Sequence, residues 1–199
     1  FHSSDDSSRA FLLAIVSLTF VMNTVGRGVT ETFAVFLLPV QKEFGVSRAG
    51  IASTYSIYML GYALAAPLAG QIVDRLGARA VYAAGLSCLG IGYLAAGSAT
   101  SLWHYFIAVG VLGGFGAAML GMVAASALLS RWFTSRIGWI MSLPYAAVGA
   151  GMVIVPPATQ VLLATTDWRV AYQFLGAGVL AQIPLLFVLP LGRIDAGSP

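Results

Sequence analysis

Two charged side chains, Arg27 and Glu31, fall inside an apolar stretch near the N-terminus of the chain. An α-helix brings residues four apart onto one face, so the two would lie side by side. A guanidinium can hold a carboxylate through two parallel hydrogen bonds, which makes Arg27 a candidate binding residue for a small organic anion. Two simpler explanations also fit. Glu31 could neutralise Arg27, or the long arginine side chain could reach the membrane interface.

Glu31 has two candidate roles that the residue types alone leave open. Its carboxylate could take up and release a proton during a working cycle, or it could be the permanent counter-ion of Arg27. If Glu31 lies near the outer surface of the membrane, its carboxylate is not buried and neither role is favoured. Asn23 and Thr30 share one helix face with Arg27, so Asn23 is a further candidate binding residue.

Tyrosines repeat at helical spacing in a later apolar stretch, at Tyr55, Tyr58 and Tyr62. Their hydroxyls could donate to an anion or close a gate, and ordinary packing between helices is the alternative. Tyr145 has the same two alternatives and follows Pro144, which can kink a helix. Tyr62 and Tyr145 are the tyrosines that we expect to contact a bound anion.

The most specific pattern in the chain is G-x-x-x-D-R-x-G-x-R, formed by Gly70, Asp74, Arg75, Gly77 and Arg79. Gly70 would let two helices approach closely, and Gly77 suits a tight turn between them. The aspartate can accept hydrogen bonds from a helix N-terminus or from an arginine of another loop. The two arginines can contact lipid phosphates or acidic partners. A plain positively charged loop is the alternative.

Composition places these residues in a membrane protein. The chain has 199 residues, of which 59% are hydrophobic and only 9% are charged, and its mean hydropathy is +0.89. A soluble domain carries about 25% charged residues, and disorder requires low hydrophobicity. The net charge of +3 is too small and too scattered for a nucleic-acid surface, so no nucleic-acid partner is expected.

Cofactor and enzyme chemistry find little support in the sequence. Cys88 is the one cysteine, which leaves no disulfide framework and no thiolate metal site. His2 and His104 lie far apart, and no H-E-x-x-H pattern occurs. We therefore expect no metal, no cofactor and no catalytic residues.

Five stretches without Asp, Glu, Lys or Arg indicate six membrane-spanning helices, because the longest of them holds two spans and the first is extended past Arg27 and Glu31. The expected spans are residues 10–37, 49–70, 80–98, 103–129, 137–163 and 170–190. The first is read as one long helix because Pro39 is its first strong break, and residues 98–101 separate the third span from the fourth. Residues 1–9 are expected to form a flexible tail, residues 10–192 the six-helix bundle, and residues 193–199 a C-terminal tail or linker.

Loop cations predict the orientation of this bundle. A cytoplasmic N-terminus places six arginines on the cytoplasmic side, namely Arg9, Arg75, Arg79, Arg131, Arg136 and Arg193. The opposite side then holds Lys42, Arg48 and Arg169. Because cytoplasmic loops are enriched in Lys and Arg, both termini are predicted to be cytoplasmic.

The pattern from Gly70 to Arg79 resembles the loop between helices 2 and 3 of the major facilitator superfamily, and the resemblance covers residues 9–193. It implies the N-terminal six-helix half of a transporter whose site lies between two halves near the membrane midplane. The pattern would then be a cytoplasmic gate. Helices 1 and 4 line the cavity in that fold, which adds Met122 as a candidate, with Met119 and Ser126 at helical spacing.

The expected partners are therefore the lipid bilayer, a small organic anion and a second six-helix half. That half would lie on the missing part of the chain, on another chain, or on a second copy of this one.

Two further segments resemble the bacterial monocarboxylate and oxalate/formate porters. F-A-V-F-L-L-P at 33–39 and E-F-G-V-S-R at 43–48 match their pattern, with Val46 in place of the usual tryptophan. R-W-F at 131–133 and D-W-R at 167–169 resemble their later loops. The resemblance implies transport of a monocarboxylate-like anion by alternating access, in the bacterial cytoplasmic (inner) membrane. A non-transporting scaffold or sensor subunit with this fold is the alternative.

Overall fold

The computed structural model describes the backbone of residues 3–132 and 137–188, and side chains over 16–127, 129 and 142–187. Helices account for nearly all of this backbone, and it contains no strand. In chain order they are α1 Ser3–Glu31, α2 Phe33–Phe44, α3 Arg48–Gly97, α4 Leu102–Tyr105, a π-helical segment Phe106–Leu112, α5 Gly113–Leu120, α6 Met122–Trp132, α7 Ile137–Thr165, α8 Trp168–Leu180 and α9 Ile183–Val188.

Four helical stretches in the described ranges are long and apolar enough to cross a membrane. They are Arg48–Gly97, Leu102–Ala127, Ser142–Thr165 and Trp168–Phe187. The all-helical membrane architecture that the composition predicts is therefore confirmed.

The N-terminal helix differs from the predicted single helix over 10–37. It begins at Ser3, inside the segment 1–9 predicted as a flexible tail, and it ends at Glu31. Thr32 is a single turn residue between α1 and α2, and its φ of −64° and ψ of −15° stay in the right-handed helical region. The Val29 carbonyl accepts hydrogen bonds there from the Thr32 N–H at 3.3 Å, the Thr32 hydroxyl at 2.5 Å and the Tyr93 hydroxyl at 3.0 Å.

Pro39 does not end the helix, contrary to the prediction. It lies inside α2, which continues to Phe44 and closes at Gly45 with a left-handed φ of 60°. The side chains of Phe36 and Val40, on either side of the proline, are fully buried. Their packing holds the helix together through a residue that cannot donate a backbone hydrogen bond.

Gly77 divides the long helix α3, as its place in the loop pattern predicts. Its φ of 82° and ψ of 171° are not helical, and glycine adopts a positive φ at little cost. An unbroken helix of 50 residues would be about 75 Å long. That exceeds twice the hydrocarbon thickness of about 30 Å, so the two arms of α3 are separate helices.

The predicted spans 103–129 and 170–190 are also interrupted. The first contains the π-helical segment and a break at Gly121, whose ψ of −167° is extended. The second contains a turn at Ala181 and Gln182 between α8 and α9. The break at residues 98–101 agrees with the prediction, since α3 ends at Gly97 and α4 begins at Leu102.

Glycines allow the helices to pack at close range. A Cβ at Gly114 of α5 would lie 2.5 Å from the Tyr58 carbonyl oxygen of α3. A Cβ at Gly28 of α1 would lie 2.5 Å from Val155 Cγ2 of α7, and Gly151 of α7 packs directly on the Thr24 carbonyl of α1. Small residues at such crossings are the usual means of association between membrane helices.

Six aromatic residues from α2, α3, α4 and α8 form one group, buried except for the half-buried Phe44, which we call the aromatic cluster: Phe36, Phe44, Tyr93, Tyr105, Trp168 and Tyr172. The rings of Phe36 and Tyr172 stack with centroids 3.8 Å apart. The hydroxyls of Tyr105 and Tyr172 are hydrogen-bonded at 2.7 Å.

An ion pair between Arg169 Nη1 and Glu43 Oε1, at 2.9 Å, lies beside the cluster. The cluster and this ion pair join the segments 33–48 and 167–169.

Candidate functional site

One cavity of about 220 Å³ lies between α1, α3, α5, α6 and α7, and we call it the Arg27 cavity. Its lining residues are Asn23, Gly26, Arg27, Thr30, Tyr58, Tyr62, Ala117, Leu120, Gly121, Met122, Tyr145, Val148 and Met152. The five residues predicted to bind an anion, Asn23, Arg27, Tyr62, Met122 and Tyr145, all belong to this lining. The structure therefore brings together residues that are more than a hundred positions apart in sequence.

Arg27 is held in an ion pair with Glu31. Its Nη2 lies 2.8 Å from Glu31 Oε1, and the two side chains are 33% and 30% exposed. The intrahelical pair considered from the sequence is thus present. Glu31 itself does not line the Arg27 cavity. It lines a neighbouring space of about 320 Å³, which we call the Glu31 cavity, together with Thr30, Phe33, Ala34, Leu37, Ala52 and Tyr55.

Hydrogen bonds within α1 fix the other polar groups of the cavity wall. The Asn23 amide donates from Nδ2 to the Thr19 carbonyl at 2.8 Å. The Thr30 hydroxyl donates to the Gly26 carbonyl at 2.7 Å and accepts from the Tyr58 hydroxyl at 3.0 Å. Because these bonds run back into the helix, α1 presents its polar side chains in defined positions.

The tyrosine stripe of α3 is present as the spacing predicts. The ring of Tyr58 lies 5.8 Å from that of Tyr55 and 6.4 Å from that of Tyr62. Tyr58 is buried and lines the Arg27 cavity together with Tyr62, whereas Tyr55 lines the Glu31 cavity. The stripe therefore runs along α3 from one cavity to the other.

Sequence reasoning overlooked part of the α7 wall. Val148 and Met152 line the Arg27 cavity with Tyr145. They follow it by three and seven residues, so helical spacing from Tyr145 was the signal that could have found them. The Thr24 hydroxyl donates to the Ala147 carbonyl at 3.2 Å and ties this wall to α1.

Two residues considered beside Met122 face other surroundings. Met119 is buried in the core, and the Ser126 hydroxyl donates to the Val123 carbonyl at 3.0 Å within α6. Of these three, Met122 alone belongs to the cavity lining in the described part of the chain.

The loop pattern lies apart from both cavities. Asp74 and Arg75 are exposed, and the Arg79 guanidinium lies 5.6 Å from the ring centroid of Phe187. Among the described residues, a Cβ at Gly70 would meet Val123 Cγ1 at an ordinary 3.8 Å, and the close helix approach predicted there stays a prediction. The side chains of Arg131 and Arg136, the other predicted cytoplasmic arginines of this region, lie outside the described residues.

Comparison with known proteins identifies the family. The family model of the Major Facilitator Superfamily matches residues 12–197. Human monocarboxylate transporter 11 is 28% identical over 89% of this chain, and an uncharacterized MFS-type transporter, YcxA of Bacillus subtilis, is 27% identical over 86%. The matched segment is 38% of the human protein and 42% of the bacterial one.

Comparison with solved structures supports the same fold. The proton:xylose symporter XylE superposes with a TM-score of 0.78 at 15% identity, over 94% of this chain and 46% of XylE. The chain thus spans less than half the length of these relatives. Because the family model matches almost its whole length, this chain belongs to the major facilitator superfamily of membrane transporters.

Proposed function

We propose that the chain forms the N-terminal half of a secondary transporter that carries a small, monocarboxylate-like organic anion by alternating access. The observation that carries this proposal is the Arg27 cavity, in which Arg27 is the one cation among the described lining residues and faces a largely apolar space. One guanidinium matches one carboxylate, and the apolar wall suits a small hydrocarbon body. The name of the monocarboxylate transporter relative supports the same substrate class.

In the proposed topology six helices span the membrane and both termini are cytoplasmic. The two arms of α3 count as two spans, the N-terminal helix adds one, and the three remaining candidate stretches complete the six. The arginine bias between the loops supports this orientation. A second six-helix half would close the cavity from the other side, and the bacterial cytoplasmic (inner) membrane is the proposed location.

In the proposed mechanism Arg27 binds the carboxylate, and Asn23 and Tyr62 contribute further hydrogen bonds. Met122 and Tyr145 contact the body of the anion on the opposite wall. Glu31 neutralises Arg27 when the cavity is empty and takes up a proton when the anion replaces it.

The residues Gly70, Asp74, Arg75, Gly77 and Arg79 form the proposed cytoplasmic gate. The left-handed Gly77 holds the turn between the two arms of α3. In this position the charged groups would make and break contacts with other loops as the cavity opens and closes.

The test is uptake of radiolabelled acetate, pyruvate, lactate and benzoate into proteoliposomes that contain the complete natural protein. Arg27→Ala should reduce uptake of the transported anion about 100-fold, because a partner of a desolvated charge is lost. Arg27→Lys keeps the charge without the planar fork and should fall in between. Lys42→Ala, which removes an exposed cation outside the cavity, should leave uptake unchanged.

The double variant Arg27→Ala/Glu31→Gln removes both charges together and guards against misfolding caused by an unpaired glutamate. Uptake unchanged in Arg27→Ala would refute the role of Arg27. A folded natural protein that transports none of these anions would favour the scaffold or sensor alternative.

A further inference from the structure

A groove of about 260 Å³ lies at one end of the bundle, between the last turns of α3 and the helical segment that follows them. We call it the Ser98 groove, and its described lining residues are Ala95, Ser98, Ala99, His104, Ile107, Ala108 and Leu112. None of these residues lines the Arg27 cavity or the Glu31 cavity. The proposed transport cycle therefore makes no use of this space.

The Ser98 groove is polar at one end and apolar at the other. Ser98 and His104 lie beside the short turn at 98–101 that joins the two helices. Ile107 and Leu112 follow His104 by about one and two helical turns. The groove is thus roughly 12 Å long by helical rise, which is close to the depth of hydrocarbon in one leaflet, about 15 Å.

A close contact between two backbones bounds the apolar end of the groove. A Cβ at Gly92 of α3 would lie 2.6 Å from the Ala108 carbonyl oxygen and 3.0 Å from Leu112 Cβ. The opposite wall belongs to the π-helical segment Phe106–Leu112. Segments of π-helix are rare and are frequently found at functional sites, so this wall is an unusual local structure beside an open space.

Two nitrogen-bearing side chains at the polar end complement a phosphate. The Thr100 hydroxyl is bonded to His104 Nδ1 at 3.1 Å. With Thr100 as the donor, Nε2 carries the ring proton and can donate to a ligand. The Arg169 guanidinium donates to the carbonyl of Ala99, a lining residue, at 3.3 Å, and it remains 31% exposed although it is paired with Glu43. Guanidinium groups are well matched to phosphate oxygens.

The outer side of the groove is apolar and exposed. Trp103 and Ile107 are 73% and 55% exposed, and the Trp103 ring packs edge-on against Phe106 with centroids 5.6 Å apart. One candidate membrane span ends at Gly97 and the next begins at Leu102, so these side chains lie at the end of two spans. Tryptophan is enriched at this depth, at the interface between membrane and water.

The dimensions of the groove favour an acyl chain over a protein helix. The volume of 260 Å³ spread over roughly 12 Å corresponds to a cross-section of about 20 Å². A helix about 10 Å across covers about 80 Å². An amphiphile with a phosphate at one end and a hydrocarbon chain at the other therefore matches the groove in both shape and chemistry.

We propose that the Ser98 groove is a binding site for one phospholipid. The lipid phosphate accepts a hydrogen bond from His104 Nε2 within the field of the Arg169 guanidinium, and one acyl chain lies along Ile107 and Leu112. Basic pockets between membrane helices bind lipid headgroups in this way. The orientation proposed above places the lipid in the outer leaflet, whereas the site itself does not depend on the transported anion.

The test uses the complete natural protein in detergent and a phosphatidylglycerol with a photoactivatable diazirine in one acyl chain. After illumination, mass spectrometry of the peptides should find adducts concentrated on residues 95–112. Unlabelled phosphatidylglycerol should prevent this labelling. Diacylglycerol with the same chains lacks the phosphate and should compete about tenfold less well, the effect of one hydrogen bond to a charged group.

Two variants with matched controls test the chain site and the phosphate site. Ala95→Phe fills the groove and should abolish labelling of residues 95–112, whereas Ala177→Phe makes the same change at an exposed position of α8 outside the groove and should leave it unchanged. His104→Leu removes both ring nitrogens at an exposed position, so it keeps the test valid if Ala95→Phe fails to fold. It should raise the phosphatidylglycerol concentration that halves the labelling about tenfold. Lys42→Leu removes an exposed cation outside the groove and should not change that concentration.

Adducts spread evenly over the exposed apolar side chains would overturn the proposal, because the protein would then contact only its surrounding lipid. A lack of adducts on residues 95–112 would also overturn it, since another part of the complete protein would then cover the groove. Diacylglycerol that competes as well as phosphatidylglycerol would refute recognition of the phosphate. Labelling needs no transported substrate, so failed anion uptake would refute the proposed function and leave the lipid result intact.

Discussion

The aromatic cluster and the Arg27 cavity use similar residues in opposite ways. Both contain tyrosines from α3 and a neighbouring arginine–glutamate pair. In the cluster, the hydroxyls of Tyr105 and Tyr172 bond to each other and both rings are fully buried. In the cavity, Tyr145 is 65% exposed, and a third of Arg27 remains accessible although it is paired.

The difference shows where the chain is packed for stability and where it leaves groups available to a ligand. The aromatic cluster is a rigid region because its side chains pack against one another, and protein interiors pack as densely as organic crystals. Leaving about 220 Å³ open beside a cation gives up packing energy and keeps polar groups accessible. Substitutions in the two regions should therefore have contrasting effects on stability.

The largest contrast is expected between Tyr172→Ala and Tyr145→Ala. Tyr172 is fully buried and stacks on Phe36, so its truncation should lower the free energy of unfolding by about 3–5 kcal/mol. Tyr145→Ala should cost less than about 1 kcal/mol, because the side chain contacts mostly open space. Unfolding by SDS in mixed micelles, followed by circular dichroism, measures both. Similar losses of unfolding free energy for the two variants would show that the two regions do not differ in this way.

A smaller effect is expected at the glycines of α7, which test whether the cavity wall is rigid. A Cβ at Gly151 would meet the Thr24 carbonyl oxygen and, at 2.9 Å, the Gly28 nitrogen. Gly151→Ala should therefore cost about 1–3 kcal/mol of unfolding free energy. Gly149→Ala is its matched control, since no atom of the described residues lies within 4 Å of a Cβ at that site, and it should stabilise the helix by up to about 1 kcal/mol.

The same SDS titration measures both glycine variants. If Gly151→Ala is as stable as Gly149→Ala, the crossing of α1 and α7 is loose and the cavity wall is mobile.

The smallest effect is expected for the ion pair beside the aromatic cluster. Glu43 and Arg169 are 44% and 31% exposed, so Glu43→Gln should cost no more than about 1 kcal/mol, less at high salt. Arg169 keeps its hydrogen bond to the Ala99 carbonyl and its position over the Trp168 ring. Lys42→Gln, at the adjacent exposed position, is the control and should have no effect. A loss above about 2 kcal/mol would mean that the pair acts as a buried one.

Local signals in the sequence predicted the features that depend on a few neighbouring residues. The turn at Gly77 follows from the conformational freedom of glycine, and the break at residues 98–101 from a short polar segment between apolar ones. Arg27 and Glu31 could be paired from their spacing alone, because helix geometry fixes which side chains are adjacent. These inferences needed no knowledge of how helices pack.

The errors arose where a contact from a distant helix decided the backbone. The long-range contact at Thr32 is the hydrogen bond from the Tyr93 hydroxyl of α3 to the Val29 carbonyl, to which the neighbouring Thr32 hydroxyl also donates. The continuation of α2 through Pro39 depends on the burial of Phe36 and Val40 by other helices. Neither contact can be read from the residues beside the break.

The sequence by itself determined that this chain is an all-helical membrane protein, which polar residues share a helix face, and where glycine would turn the chain. Composition and helical periodicity carry that information because each acts over a few turns of one helix. Only the tertiary structure decided that Arg27 and Glu31 line different cavities and that Tyr58 of α3 donates a hydrogen bond to Thr30 of α1. The physical reason is that a cavity is the space left between several helices, so its shape depends on their packing.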